Sequence, residues 1–329
     1  MSSRLRFKGF TVARDRSLDR TRMEAIVHET EQQLVEACQV GVTFKSGDLT
    51  LSGVLHLPPG NQAAQYPCVI VLHGFGSNKQ ASNVRLPVEM LNDWGYAAFR
   101  FDMRGCGESE GEFGRVICME QVEDTKAALD FLQSCEQVDA SRIALLGSSF
   151  GAAVALYTGS VDERVAAVIS SGGWGHGGRK FQWQHKAPGE FERFMTMLEE
   201  GRRYREQTGN SLMVDRYDIV PMPEHLRTHL SQGSATQFPA EVAQSMYNFC
   251  AEDVVHQLSP RPLLLLHSSN DSITPTEQSV ALFQKAGMPT DLHLFAETDH
   301  FMFAEDNTRV REIVRSWLAK FLPVQVGGR

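Results

Sequence analysis

The stretch Ile143-Ala144-Leu145-Leu146-Gly147-Ser148-Ser149-Phe150-Gly151-Ala152-Ala153-Val154-Ala155-Leu156 decides how this chain is read. A short apolar run enters a turn crowded with small residues, and an alanine-rich run leaves it. An apolar run with no polar alternation is the mark of a strand buried on both faces, and Ala and Leu favour a helix after the turn. The flanking glycines let backbones approach closely. A serine on such a strand–turn–helix corner stands exposed above a sheet, where a nucleophile can work. The same G-x-S-x-G spacing occurs at Gly107-Glu108-Ser109-Glu110-Gly111. With 27 Gly in the chain, the bare pattern carries little weight, so context must separate the copies. Ser109 lies between acidic residues in an open loop, whereas Ser149 has the strand before it and the helix after it. Ser149 is therefore the candidate nucleophile.

Around this corner the chain alternates. Buried-strand candidates are Cys68–Leu72, Tyr96–Phe101, Arg142–Leu146, Val165–Ser170, Pro262–His267 and Asp291–Phe295. Helical spacing falls near 84–94, 119–133, 150–159, 276–286 and 308–321. This order predicts an α/β fold with a mostly parallel, doubly wound sheet. Residues 40–57 read as a β-hairpin turning at Ser46-Gly47-Asp48. Residues from about 17 to 38 read as an amphipathic helix with a capping box at Thr21-x-x-Glu24. The alternation breaks between about 172 and 258, where polar helical segments and Pro221-x-Pro223 replace it and no second buried sheet is evident. The domain reading is thus an N-terminal helical extension at 1–39, a core at 40–172 and 259–329, and a mainly helical cap insertion at 173–258.

A serine hydroxyl needs a base, and the base needs an orienting group. His300 follows the last strand candidate and precedes the final helix, which makes it the candidate base. His293 alternates within a strand and His267 ends one, so both read as packing or surface residues. Asp271, in the loop after the preceding strand, is the candidate acid; Asp299 is adjacent to His300 but neighbouring side chains point apart. The order Ser149, Asp271, His300 is the nucleophile–acid–base order expected of this kind of sheet. Two N–H groups must face the developing negative charge. Phe150, opening the helix after the serine, supplies one. Phe75, in His73-Gly74-Phe75-Gly76, supplies the other, with Gly76 as the alternative.

These segments together resemble the α/β-hydrolase superfamily, in its dienelactone-hydrolase and prolyl-oligopeptidase-like esterase branch. The resemblance rests on His73–Gly76, Asp102-Met103-Arg104-Gly105-Cys106-Gly107-Glu108-Ser109, Gly147–Gly151, Asn270-Asp271 and Asp299-His300. It implies an α/β-hydrolase fold and a structural, loop-bracing role for Asp102-x-Arg104-Gly105. The sequence departs from dienelactone hydrolase itself in carrying serine at the nucleophile position. The function expected is a serine hydrolase cleaving a small carboxylic ester or lactone, with no metal and no cofactor. Amide, thioester or C–C cleavage, and acyl transfer, use the same triad. A silent binding protein on this fold would lack a triad member.

Composition limits the partners. The chain has 329 residues, 42% hydrophobic and 22% charged, with a formal charge of −8. An acidic surface argues against nucleic acid or anionic membrane, leaving a small-molecule, ester-like substrate. The six cysteines form no C-x-x-C pair, which suggests buried thiols in a reducing compartment. Met1 to Phe10 has no apolar core of a signal peptide, and a cytoplasmic protein is expected. The N-terminal helix or the cap could carry a homo-oligomer contact. Gly173-Trp174-Gly175-His176-Gly177-Gly178 matches G-x-G-x-x-G but is not the first βα turn, so it does not read as a dinucleotide site. Trp174, His176 and Trp183 are the candidate substrate-binding residues under the cap. His225 and His229 lack the Glu of H-E-x-x-H and read as a solvated helix. Arg202-Arg203-x-Arg205 reads as a charged helix face.

Overall fold

Successive residues of Tyr66–Leu72 alternate between two cores, with Ile70 and Leu72 packed on one side and Val69 and Val71 on the other. That period of two explains why the strand is apolar throughout. The computed structural model describes residues 38–59, 65–304 and 307–324. The expected N-terminal helix falls on residues outside this set, except Cys38, which opens a strand.

The strands are β1 (Cys38–Ser46), β2 (Leu49–Leu57), β3 (Tyr66–Leu72), β4 (Ala97–Phe101), β5 (Val138–Ser148), β6 (Val165–Ser171), β7 (Met213–Asp215), β8 (Gln237–Pro239), β9 (Leu263–Ser268) and β10 (Thr290–Phe295). Eight of them form one sheet in the order β1-β2-β4-β3-β5-β6-β9-β10. β1 and β2 form the antiparallel hairpin, and β2 joins β4 antiparallel. From β4 to β10 every pairing is parallel. The α/β-hydrolase fold read from the sequence is the fold observed.

Helices cover both faces. On the side of Val69, Val71, Leu146 and Leu264 lie α1 (Ser82–Asp93) and α9 (Thr308–Phe321), through Val84, Leu91, Val314 and Trp317. On the side of Ile70, Phe99, Leu145 and Val168 lie α2 (Cys118–Gln133) and α3 (Phe150–Val161), through Val122, Leu129, Ala153 and Val154. Asn307 caps α9 by accepting the Arg309 and Val310 N–H groups, which satisfies two of the donors at the helix start.

Between β6 and β9 the chain forms α4 (Gly177–Gln184), α5 (Glu190–Thr208), α6 (Arg216–Ile219), α7 (Ala240–Asn248) and short 3-10 turns, while α8 (Glu277–Lys285) follows β9. Here β7 and β8 pair antiparallel over three residues each, a small ladder that the sequence reading did not include. Such short strands carry too few side chains to show a period. Phe181, Phe194, Phe238 and Met246 continue the core that contains Phe150, so this segment is packed down onto the face of the sheet covered by α3. Among the described residues, no helix is long and apolar enough to cross a membrane.

Candidate active site

Ser149 sits between the end of β5 and the start of α3 with φ 57° and ψ −116°, the one non-glycine residue with positive φ among those described. A serine in that region costs roughly 1–3 kcal/mol and persists only where its surroundings dictate it. They do so here. Its N–H donates to Ser171 O at 2.8 Å, and its carbonyl accepts from Ala152 N at 3.1 Å. A Cβ at Gly147 would strike the Gly151 carbonyl, and one at Gly151 would lie 2.5 Å from the Leu72 and His73 carbonyl oxygens. Both glycines are required by close backbone approach.

The loops after β9 and β10 bring Asp271 and His300 to this corner. His300 Nε2 lies 2.7 Å from Ser149 Oγ, and its Nδ1 lies 2.8 Å and 3.0 Å from the two Asp271 carboxylate oxygens. An ionised carboxylate only accepts, so the proton resides on Nδ1 and the Nε2 lone pair faces the serine. Asp271 Oδ1 also accepts the Ile273 and Thr274 N–H groups at 2.8 Å and 2.7 Å. Burial alone would push this carboxyl up. The charge of His300 and hydrogen bonds from His267 and His300 outweigh burial and hold it well below the usual carboxylate range. Behind the ring, a Cβ at Gly172 would stand 3.3 Å from His300 Cε1, so the backbone leaving β6 walls the imidazole in.

Asp299 is placed differently. It accepts from Ser272 N at 2.9 Å and from the His300 backbone N–H at 2.8 Å, while the His300 ring turns to Asp271. His267, read as a packing or surface residue, is fully buried, and its Nε2 lies 3.4 Å from Asp271 Oδ2. Nε2 also lies 3.0 Å from Thr274 O and Nδ1 2.6 Å from Ser279 Oγ. The carbonyl fixes Nε2 as the protonated nitrogen, so His267 turns an N–H toward Asp271. Its position at the end of an apolar strand gave no sign of this. Ser109 is fully engaged: its Oγ donates to Asp102 O at 2.5 Å and accepts Ser52 N–H at 2.9 Å. It braces the loop of the Asp102-x-Arg104-Gly105 segment, where Asp102 also accepts from Lys79 Nζ at 2.5 Å and Glu108 N at 2.9 Å.

The loop after β3 lies against the serine, since a Cβ at Gly74 would be 3.9 Å from Ser149 Cβ. His73 Nε2 accepts Met103 N–H at 3.1 Å, which leaves Nδ1–H to donate to Gly74 O at 2.9 Å. That bond polarises the peptide whose N–H belongs to Phe75. The N–H groups of Phe75 and Phe150 meet no acceptor among the described residues, and the Phe150 group opens α3, where the helix dipole favours negative charge. Such a set of groups can activate a hydroxyl and receive an oxyanion.

An open cleft of about 900 Å³ adjoins Asp271 and is lined by Trp183, Gln184, Tyr217, Met222 and His225, among others. Of the three residues assigned to substrate, Trp183 lines it, with Lys186 Nζ 4.4 Å from the centre of its ring. Trp174 does not line this cleft; it is 1% exposed and packs on Phe150 at 5.8 Å between ring centroids. His176 does not line it either; its Nδ1 accepts Arg179 N–H at 3.3 Å and caps α4. Beside Trp174 lies Lys180, a fully buried ammonium 2.8 Å from Gln184 Oε1 and 4.0 Å from the Phe181 ring centre. Burial pushes it down to about 7. His225 and His229 lie in a 3-10 turn, His225 at 3.5 Å from Asp299 and His229 against the Phe301 ring. Among the described residues, no group of three His, Cys, Asp or Glu is placed to hold a metal.

Comparison with known proteins agrees with this architecture. An uncharacterized 31.7 kDa protein of Escherichia coli is 26% identical over 279 residues, covering 81% of this chain and 94% of its own. The acyltransferase drtE of Aspergillus calidoustus is 26% identical over 285 residues, covering 80% of this chain and 89% of its own. The crystal structure of the hypothetical protein PA2218 of Pseudomonas aeruginosa superposes with a TM-score of 0.75 at 20% identity, covering 87% of this chain and 94% of that one. The family model described as serine aminopeptidase, S33 matches residues 64–307. On that match and on the sheet order above, the chain belongs to the serine aminopeptidase S33 family of α/β-hydrolases and is a hydrolase enzyme.

Proposed function

We propose that the protein cleaves a small carboxylic ester or lactone through an acyl-enzyme, with Ser149 as nucleophile, His300 as base and Asp271 as orienting acid. The observation that carries this reading is the continuous 2.7 Å and 2.8 Å relay from Ser149 Oγ through His300 to Asp271. Ser149 Oγ attacks the carbonyl carbon while its proton passes to His300 Nε2. The oxyanion is received by the N–H groups of Phe75 and Phe150. On collapse, the C–O bond to the leaving group breaks and the imidazolium returns its proton to that oxygen. Water then repeats the cycle at the acyl carbon and releases the acid. Asp271 keeps its negative charge throughout and stabilises the imidazolium. Trp183 faces the incoming substrate across the cleft, whereas Trp174 acts from behind Phe150. The substrate is a small molecule, and the unpaired state of all six cysteines supports a cytoplasmic setting.

Acyl transfer to an alcohol or amine is the second reading, favoured by the acyltransferase relative. A fluorophosphonate probe tests the common chemistry: the adduct is expected on Ser149, and an adduct on another residue overturns the assignment. A panel of nitrophenyl esters with and without added alcohol then separates the two. Ester product formed in preference to free acid would establish transfer.

A further inference from the structure

Arg216 opens α6 between β7 and β8, far in sequence from the loop after β3, yet it is buried against that loop at 3% exposure. Its guanidinium donates to three backbone carbonyls. Nε donates to Ala235 O at 2.8 Å, Nη1 to Phe75 O at 3.0 Å and Nη2 to Gly76 O at 3.1 Å. No carboxylate is in ion-pair contact with it among the described residues; the adjacent Asp215 instead caps Tyr217 N at 2.8 Å. Burial pushes the guanidinium down to about 10, so it remains a cation at neutral pH. A buried cation without an anion is costly, and a neutral side chain would fill the same space. What the arginine adds is a planar fork that grips two consecutive carbonyls, together with a positive charge beside them.

The Phe75 and Gly76 carbonyls belong to the loop after β3, which lies against Ser149 at Gly74. Gripping Phe75 O and Gly76 O fixes the peptide planes on both sides of Gly76, which has φ +50°. Gly76 O is held a second time by Ala235 N–H at 2.9 Å. The Phe75 ring is stacked on Phe238 of β8 at 4.2 Å, and the guanidinium carbon lies 5.2 Å from both ring centres. A Cβ on Gly76 would run into Phe238. The small β7–β8 ladder, unremarkable as a sheet, is thus the seat of this clamp.

We propose that Arg216 is a positioning residue for oxyanion stabilisation: its two bonds to Phe75 O and Gly76 O hold the loop so that Phe75 N–H points at the oxygen of the carbonyl attacked by Ser149. This rests on the serine-hydrolase reading above. It makes the segment between β6 and β9 part of the machinery for rate as well as for substrate choice. Removing an oxyanion donor costs about 10²–10³-fold in kcat, and misplacing one by about 1 Å costs up to about 10²-fold.

The test compares the wild type with Arg216→Gln and Arg216→Lys by ester kinetics, by affinity for a trifluoromethyl ketone that forms an oxyanion on the serine, and by amide hydrogen exchange of residues 73–78. Arg216→Gln is expected to lose about 10- to 100-fold in kcat with KM within about threefold. The ketone should weaken by the same factor, and exchange should quicken in the loop alone. Arg216→Lys, which keeps the charge without the fork, should recover part of each. A kcat within twofold of wild type, or a loss matched by loss of folded protein with unchanged loop exchange, overturns the proposal. If Arg216→Gln does not fold, Arg216→Lys is judged by the same measurements. A wild type that neither turns over esters nor binds the ketone would sink the hydrolase reading, and loop exchange would then decide the clamp by itself.

Discussion

Replacing Asp271 by asparagine changes one atom and should silence the enzyme for a reason that the hydrogen bonds make explicit. Oδ1 accepts the Ile273 and Thr274 N–H groups, so the amide oxygen of Asn must stay there. Its NH2 then occupies the position of Oδ2, 2.8 Å from His300 Nδ1. A donor at that point requires a lone pair on Nδ1 and drives the proton to Nε2. Nε2–H then faces Ser149 Oγ and cannot take its proton. The loss expected in kcat is about 10⁴-fold, the size of the tautomer effect in serine proteases. Stability should fall by only about 1–2 kcal/mol, because the two backbone donors keep their acceptor. The folded Asp271 carboxyl lies below its unfolded value, so its contribution is present above about pH 4 and is lost as the pH falls. The gap in Tm between wild type and Asp271→Asn should therefore hold steady above about pH 4 and begin to narrow below it. Nitrophenyl ester turnover, with thermal melts between pH 3 and 8, reads both effects. Asp299→Asn leaves the imidazole's partner intact and should cost less than about 10-fold. A folded Asp271→Asn retaining a tenth of wild-type kcat, or an Asp299→Asn more damaging than it, would refute the reasoning.

Other outcomes follow from the same structure. Ser149→Ala should abolish fluorophosphonate labelling while Ser109→Ala leaves it in place; labelling lost in the second variant would transfer the nucleophile. Gly147→Ala must displace the Gly151 backbone, so labelling should fall at least about 10²-fold even in protein that remains folded; an unchanged labelling rate would contradict the packing described. Lys180→Met should match or exceed wild-type stability at pH 7 by about 1–3 kcal/mol, since a buried ammonium with no carboxylate in ion-pair contact among the described residues is removed. Burial sets the folded Lys180 near 7 against an ordinary 10.5, so the unfolded chain holds the extra proton between these values. Wild-type stability should accordingly gain on Lys180→Met as pH rises from 7 to 10, by up to about 1.4 kcal/mol per unit, and parallel denaturation curves would disprove the effect. Trp183→Ala should reorder preference among ester sizes while small fluorophosphonates still label Ser149; an unchanged ranking in folded protein would remove Trp183 from the substrate path.

The sequence disclosed the sheet because strands such as β3 and β9 are buried on both faces and show as apolar runs. It pointed to Ser149, Asp271 and His300, which the structure brings into one hydrogen-bonded line, because each follows such a run at the edge where loops converge. The limits are equally physical. β5 begins at Val138, before its apolar run, because Tyr66 pairs with Val138 across a register shift; backbone pairing needs no apolar side chain. β7 and β8 are three residues long, below the length at which alternation can be seen. Arg216 leaves no local sign, since two of its carbonyl partners lie about 140 residues away; Lys180 and His267 have partners close in sequence, in Phe181, Gln184 and Asp271, but their spacing does not announce burial. Trp174 and Trp183 are indistinguishable by composition, yet one is core and the other faces the cleft.

The sequence distance between Ser149 and His300 has a consequence in time. The bond between them spans 151 residues, and β9 and β10 must dock beside β6 before it can form. On a ribosome adding about 5–20 residues per second, Ser149 emerges roughly 8–30 s before His300. On the reading proposed above, Ser149 carries an ordinary, unactivated hydroxyl until β9 and β10 have joined the sheet, and reactivity waits on long-range docking rather than on the local turn.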